Sequence, residues 1–196
     1  TKEVVLGSIG TGTISYQIPA LMNSLLGTRF KVITGYAGGN PIRLAMERGE
    51  VSGTAILWEG WKSGTPDWVR DGKLVQLVQV ASKRLEPDLA DVPTLIELAK
   101  TDEQRHVFAF LSHGAVNARA VSLPPGVPAD RVAAMRAAVD RTYKDAAFLA
   151  DAAKADFHIA PVSAEATTDT VKQQAALPAQ LVARVRNILG YDSGTK

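Results

Sequence analysis

Val4-Val5-Leu6-Gly7-Ser8-Ile9-Gly10-Thr11-Gly12-Thr13 runs straight into Ile14-Ser15-Tyr16-Gln17-Ile18-Pro19-Ala20-Leu21-Met22-Asn23-Ser24-Leu25, and this join decides the fold class. The first part is a short β-branched run that stops at a glycine. In the second part Ile14, Ile18, Leu21, Met22 and Leu25 form one helical apolar stripe, and Gly27 is placed to end it. Pro19, a few residues inside, predicts an irregular first turn. The pair reads as strand, glycine-rich turn, helix. In a parallel sheet such a turn lies at the carboxyl edge, where ligands bind. Glycines let backbone amides approach an anion, Ser8, Thr11 and Thr13 add hydroxyls, and a helix start adds positive potential. The plainer reading of the same loop is a tight strand-to-helix turn.

Outward from this unit the pattern repeats. Phe30 to Gly35 reads as a second strand, and Tyr36-Ala37-Gly38-Gly39-Asn40-Pro41 as a second glycine-rich turn, with Asn40 as N-cap, Pro41 at the first helical position and Gly49 as the stop. Thr54 to Trp58 and Leu74 to Val80 complete a predicted α/β layer with a mostly parallel sheet. Residues 81–94 read as a loop around Pro87 and Pro93. Leu95 to Lys100 and Glu103 to Leu111 read as helical, Ala115 to Leu123 as extended, and Pro124-Pro125-Gly126-Val127-Pro128 as a break. Beyond it the pattern is helical, with Phe157 to Val162 as one strand-like exception. Val132, Met135 and Val139, then Phe148 and Leu149, then Leu181, Val182, Val185, Ile188 and Leu189 are apolar faces that need a partner. They cover the second face of the sheet, belong to another lobe, or pair between chains.

Composition narrows the function. With 22 basic and 20 acidic residues in mixed order, the net charge of +2 offers no basic stripe for nucleic acid. No apolar run approaches the ~20 residues that span a bilayer. The chain opens directly on a strand-like run, so any targeting segment is expected to have been removed. The absence of cysteine excludes disulfides, thiolate metal sites and cysteine nucleophiles.

Phosphate motifs fit the first loop badly. Its order G-x-x-G-x-G is not the dinucleotide fingerprint, and no Gly-Lys-Ser/Thr follows, so a carboxylate suits the cradle better than a nucleotide. Trp58, Trp61 and Trp68 are either packing residues or, for Trp58 and Trp61, walls of a pocket at the same edge. Glu59 would repel an anion unless it turns away. His106, His113 and His158 lack metal-ligand spacing and read as surface or helix-end residues, while Asp88, Asp91, Asp102 and Glu103 read as structural. No nucleophile, base and orienter assemble, and the expectation is a binding protein without catalysis or cofactor. The rival is an α/β enzyme or phosphate-binding domain that uses Gly7 to Thr13 for phosphate.

The order of motifs resembles a known family. Gly7 to Thr13 with its helix, Phe30-Lys31-Val32-Ile33-Thr34-Gly35-Tyr36-Ala37-Gly38-Gly39, Ala45-Met46-Glu47-Arg48-Gly49-Glu50-Val51, Asp91-Val92-Pro93-Thr94-Leu95-Ile96-Glu97, Pro124 to Val132 and Lys144 to Leu149 are similar to the tripartite tricarboxylate transporter solute receptors of the TctC or Bug type. The resemblance implies a periplasmic-binding-protein-like type II lobe in a two-lobed periplasmic receptor that delivers a small organic carboxylate to membrane permease subunits. It further implies that residues 1–119 are the second, ligand-binding lobe and 120–196 a helical return into a first lobe that is mostly missing. Carried over residue by residue, the ligand site comprises Ser8, Gly10, Thr11, Gly12, Thr13, Tyr36, Gly38, Gly39, Asn40 and Trp58. The segment from Trp58 to Trp68 departs from the commoner family pattern by extra residues.

Overall fold

The computed structural model describes residues 3–81, 84, 87–117, 120–155, 157 and 159–191. Two parallel strands, β1 (Val4–Gly7) and β2 (Phe30–Ile33), pair in register from Val4 opposite Phe30 to Gly7 opposite Ile33. On the other side of β1, Gly53 forms a single parallel bridge with Leu6. There the Ser52 amide donates to the Val5 carbonyl (2.7 Å) and the Gly7 amide to the Gly53 carbonyl (2.9 Å). β1 is therefore the central line of a small α/β layer, and three chain segments leave it in one direction.

Helices α1 (Ile14–Leu26) and α2 (Gly39–Glu47) follow the two strands. Both end at glycines in the left-handed region, Gly27 (φ 70°) and Gly49 (φ 72°), as their placement predicts. Pro19 sits inside a continuous α1 and is buried there; it deprives the Ser15 carbonyl of its usual amide donor without breaking the helix. The α1 stripe begins one turn later than its periodicity suggests. Ile18, Leu21, Met22 and Leu25 are buried, but Ile14 is 47% exposed.

α3 (Trp58–Gly64) and α4 (Pro66–Arg70) come next, followed by a single 3-10 turn at Pro87–Leu89 and the long α5 (Asp102–Asn117). The remainder holds α6 (Ala129–Thr142), α7 (Ala146–Lys154), α8 (Ala164–Ala175) and α9 (Ala179–Ile188). The main core joins Ile18, Leu21, Met22 and Leu25 of α1 to Val107 and Phe108 of α5, with Leu95 and Leu189 closing it and Phe30 packing on its edge. A smaller core, Ile42, Ala45 and Val51 with Val5 and Tyr36, seats α2 on the sheet.

α8 and α9 pack on α5, and α9 also on α1. Specific bonds fix these joints: Gln174 Nε2 donates to the Phe110 carbonyl (3.2 Å), Gln104 Nε2 to the Leu25 carbonyl (2.6 Å), and Arg184 pairs with Glu103. Asp145 and Ser163 cap α7 and α8 by accepting from the Phe148 and Ala166 amides. α6 buries no residue, and α7 buries Ala152 alone among its described side chains.

Several elements differ from the sequence reading. Thr54 to Trp58 is not a strand: pairing stops at Gly53 because β1 turns away after Gly7, whose carbonyl accepts the Thr54 hydroxyl at 2.8 Å, and Trp58 instead starts α3. Leu74 to Val80 joins no sheet; Gln79 makes a lone bridge with Thr94, and its side-chain amide donates to the carbonyls of Leu89 (3.0 Å) and Val92 (2.7 Å). Residues 115–117 are helical within α5, 118–119 lie outside the described residues, and 120–123 have no regular structure. Leu95 to Lys100 forms turns rather than a helix. Phe157 and residues 159–162 form no strand, and 158 is outside the described residues, as is the side chain of residue 113. Asn40 is not the N-cap: Gly38 takes that place in extended backbone, and α2 starts two residues early.

The turn after Gln79 carries a pH-sensitive lock. Thr94 and Glu97 form a reciprocal capping box: the Glu97 carboxylate accepts from the Thr94 amide (2.7 Å) and the Thr94 hydroxyl from the Glu97 amide (3.3 Å). The Thr94 amide bond and then the Arg84 guanidinium hold the Glu97 carboxyl below its ordinary range. A depressed folded value means the lock is present above the unfolded value and released as pH falls through the folded one. A carbon-detected NMR titration is expected to place the Glu97 midpoint below that of a glutamate in an unfolded peptide. Glu97→Gln should abolish the acid-linked change in Thr94 amide shift.

Candidate functional site

The carboxyl edge of the sheet gathers the three segments that leave β1, β2 and Gly53. Both glycine-rich turns arrive there, and they are bonded together: the Ser8 amide donates to the Ile33 carbonyl (2.8 Å) and the Tyr36 amide to the Ser8 carbonyl (3.3 Å). The Tyr36 ring and Ile42 crowd Gly7, so that a Cβ on Gly7 would lie 2.8 Å from Ile42 Cγ2 and 3.3 Å from the ring. Absence of a side chain at Gly7 lets α2 close onto β1.

The first loop is braced from within. Ser8 is fully buried, and its hydroxyl meets that of Ser15 at 3.0 Å. Ser15 in turn lies 2.7 Å from the Thr13 hydroxyl and accepts the Ile9 amide at 3.3 Å. The Thr13 hydroxyl donates to the Gly10 carbonyl at 2.7 Å, and the Thr13 amide to the same oxygen at 3.1 Å. Ser8 and Thr13 thus shape the loop rather than reach outward. Amides of Gly10, Thr11 and Gly12 have no backbone acceptor among the described residues, and those of Ile14 and Ser15 are left over by helix geometry. Thr11 and Gly12 are exposed. This arrangement can receive an anion through backbone amides, with one hydroxyl, Thr11, open to it.

At the second turn Gly38 and Gly39 begin α2 with open space around Gly38, and Asn40 is exposed. Trp58 is half-buried, and its indole N–H points to Asp88 Oδ2 at 3.4 Å. Trp61 is buried and stacks on Trp68, with centroids 6.4 Å apart and planes 25° apart, so Trp61 is a packing residue. Around the edge stand Ile9 (42% exposed), Ile14 and Leu57 (44% exposed). Apolar side chains beside free amides suit an organic anion better than an inorganic one. His106 is exposed on α5, and no group of three metal-ligating side chains occurs among the described residues.

Two residues of the edge escape a sequence reading. Ser15 looks like an ordinary helix position, and only the turn of α1 back onto the loop makes it the hub of three hydroxyls. Arg43 reads as a polar helix residue, yet its side chain crosses to α3, where Nη1 donates to the Gly60 carbonyl at 3.4 Å. Two larger grooves lie elsewhere, about 500 Å³ beside Ser24 and Asn187 and about 600 Å³ beside Val132 and Arg136. Both are open to solvent, and neither receives a glycine-rich turn, so we place the site by chemistry rather than by volume.

Compared with family models, curated proteins and solved structures, the chain matches none significantly.

Proposed function

We propose that the chain is a ligand-binding lobe of an extracytoplasmic solute receptor, of the periplasmic-binding-protein-like type II architecture, that grips a small organic carboxylate for a tripartite tricarboxylate transporter. The observation that carries this reading is the pair of bonded glycine-rich turns at one sheet edge, with acceptor-free amides at Gly10 to Gly12 and apolar side chains beside them. The motif order in the sequence supplies the receptor class, the periplasmic setting and the permease partner. The function needs no reacting group: Ser8, the one buried hydroxyl of the loop core that resembles a nucleophile, bonds to Ser15 and Gly10 with no histidine or carboxylate in its hydrogen bonds.

Amide-detected NMR titration of the chain with butyrate, succinate, citrate and inorganic phosphate tests the reading. Carboxylates are expected to shift the Gly10, Thr11 and Gly12 amides, saturably and more than phosphate does at equal concentration. Stronger response to phosphate would favour the phosphate-binding rival, and no response at these amides to any acid would refute a carboxylate site.

A further inference from the structure

We propose that Arg43 anchors a second carboxylate, so that the ligand class this edge fits is a dicarboxylate. The inference rests on the carboxylate reading above and specifies its substrate.

The Arg43 guanidinium is half-buried, and its hydrogen bonding among the described residues is one long contact with the Gly60 carbonyl at 3.4 Å. Other arginines of the chain are compensated differently. Arg48, Arg70, Arg84 and Arg184 each face a carboxylate, from Glu50, Asp67, Glu97 and Glu103 respectively. Arg43 has none among the described residues. A guanidinium does not shed its proton to escape partial burial, so its charge remains and favours an incoming anion.

The surroundings keep the fork in place. A Cβ on Gly64 would fall 2.5 Å from both Cζ and Nη2 of Arg43, and one on Gly39 would fall 3.5 Å from Nη1. Glycine at 64 therefore leaves the room that the planar head occupies between α2 and α3. Gly39 opens α2 directly after the second turn, which puts the guanidinium at the edge where β2 leaves the sheet. The Gly10 to Gly12 amides stand at the segment leaving β1, on the same edge. A ligand whose first carboxylate meets those amides presents a second one to the Arg43 fork, where two parallel charge-assisted bonds are available.

The test compares succinate with butyrate, acids of equal chain length that differ in the second carboxylate, by NMR titration of the chain. Succinate is expected to bind roughly tenfold more tightly than butyrate, and it alone should move the Arg43 side-chain Nε–Hε resonance. Arg43→Gln should bring succinate down to the butyrate level while leaving butyrate unchanged, which also certifies that the variant is folded. Arg43→Lys, which keeps the charge and loses the fork, should recover part of the difference. Gly64→Ala, which displaces the guanidinium, should lose succinate preference without losing butyrate. Equal affinities for the two acids in the natural chain, or a succinate preference that survives Arg43→Gln, would overturn the assignment while the Gly10 to Gly12 response keeps the carboxylate site. Silence at Gly10 to Gly12 with both acids would remove both.

Discussion

Phe108→Ala is expected to destabilise the chain by about 3–5 kcal/mol, the usual loss for emptying a fully buried aromatic site. Phe108 has no exposed surface and lies in the cluster that ties α5 to α1 and to the end of α9. Neighbours cannot collapse into the space easily, because Leu21 and Leu95 are themselves fully buried and held by separate elements. Since whole-domain stabilities run to about 5–15 kcal/mol, the variant should lose a third or more of its margin. Urea unfolding followed by circular dichroism measures it as a midpoint shift of roughly 2 M for a slope of about 2 kcal/mol/M. Val75→Ala, at a site 81% exposed, is the matched control and should shift the midpoint little. A Phe108→Ala midpoint within error of that control would mean that the α1–α5 core is not the cooperative centre of the fold.

Gly7→Ala is expected to cost about 1–3 kcal/mol and to impair anion binding at the same time. The added methyl would sit 2.8 Å from Ile42 Cγ2, a branch of a stiff β-branched side chain that is itself fully buried. Relief requires α2 to move off β1 or the Tyr36 ring to swing, and either motion strains the Tyr36 to Ser8 backbone bond that joins the two turns. Gly12→Ala separates the two effects. Nothing lies within 4 Å of a Cβ there and the backbone is not left-handed, so stability should stay within about 0.5 kcal/mol. If Gly7→Ala were as harmless as Gly12→Ala, the close seating of α2 would have no energetic weight.

The glycine-rich turns were legible because their chemistry is local. Strand, glycine loop and helical stripe are written in consecutive residues, and Gly27 and Gly49 end their helices as the spacing indicates. Ser8 shows where such reading stops. Its type and place fit a ligand hydroxyl, yet the return of Ser15 on the first turn of α1 buries it and uses its oxygen. Arg43 is the reverse case, a residue with no local mark whose partner at Gly60 is seventeen positions away.

Length and direction of the sheet followed the same division. Alternation marked four extended segments, and two became strands, one became a single bridge at Gly53, and the fourth left the sheet to clamp residues 89–95 through Gln79. Periodicity reports which side chains want burial. It does not report which backbone will be opposite, and once Gly7 turned into its loop no partner remained beyond Gly53. By itself the sequence determined the strand-turn-helix units, the helix stops and an anion-accepting loop chemistry, since these depend on neighbours along the chain. Tertiary structure decided that Ser8 braces the loop and that Arg43 reaches the edge, because both outcomes depend on distant segments meeting in space.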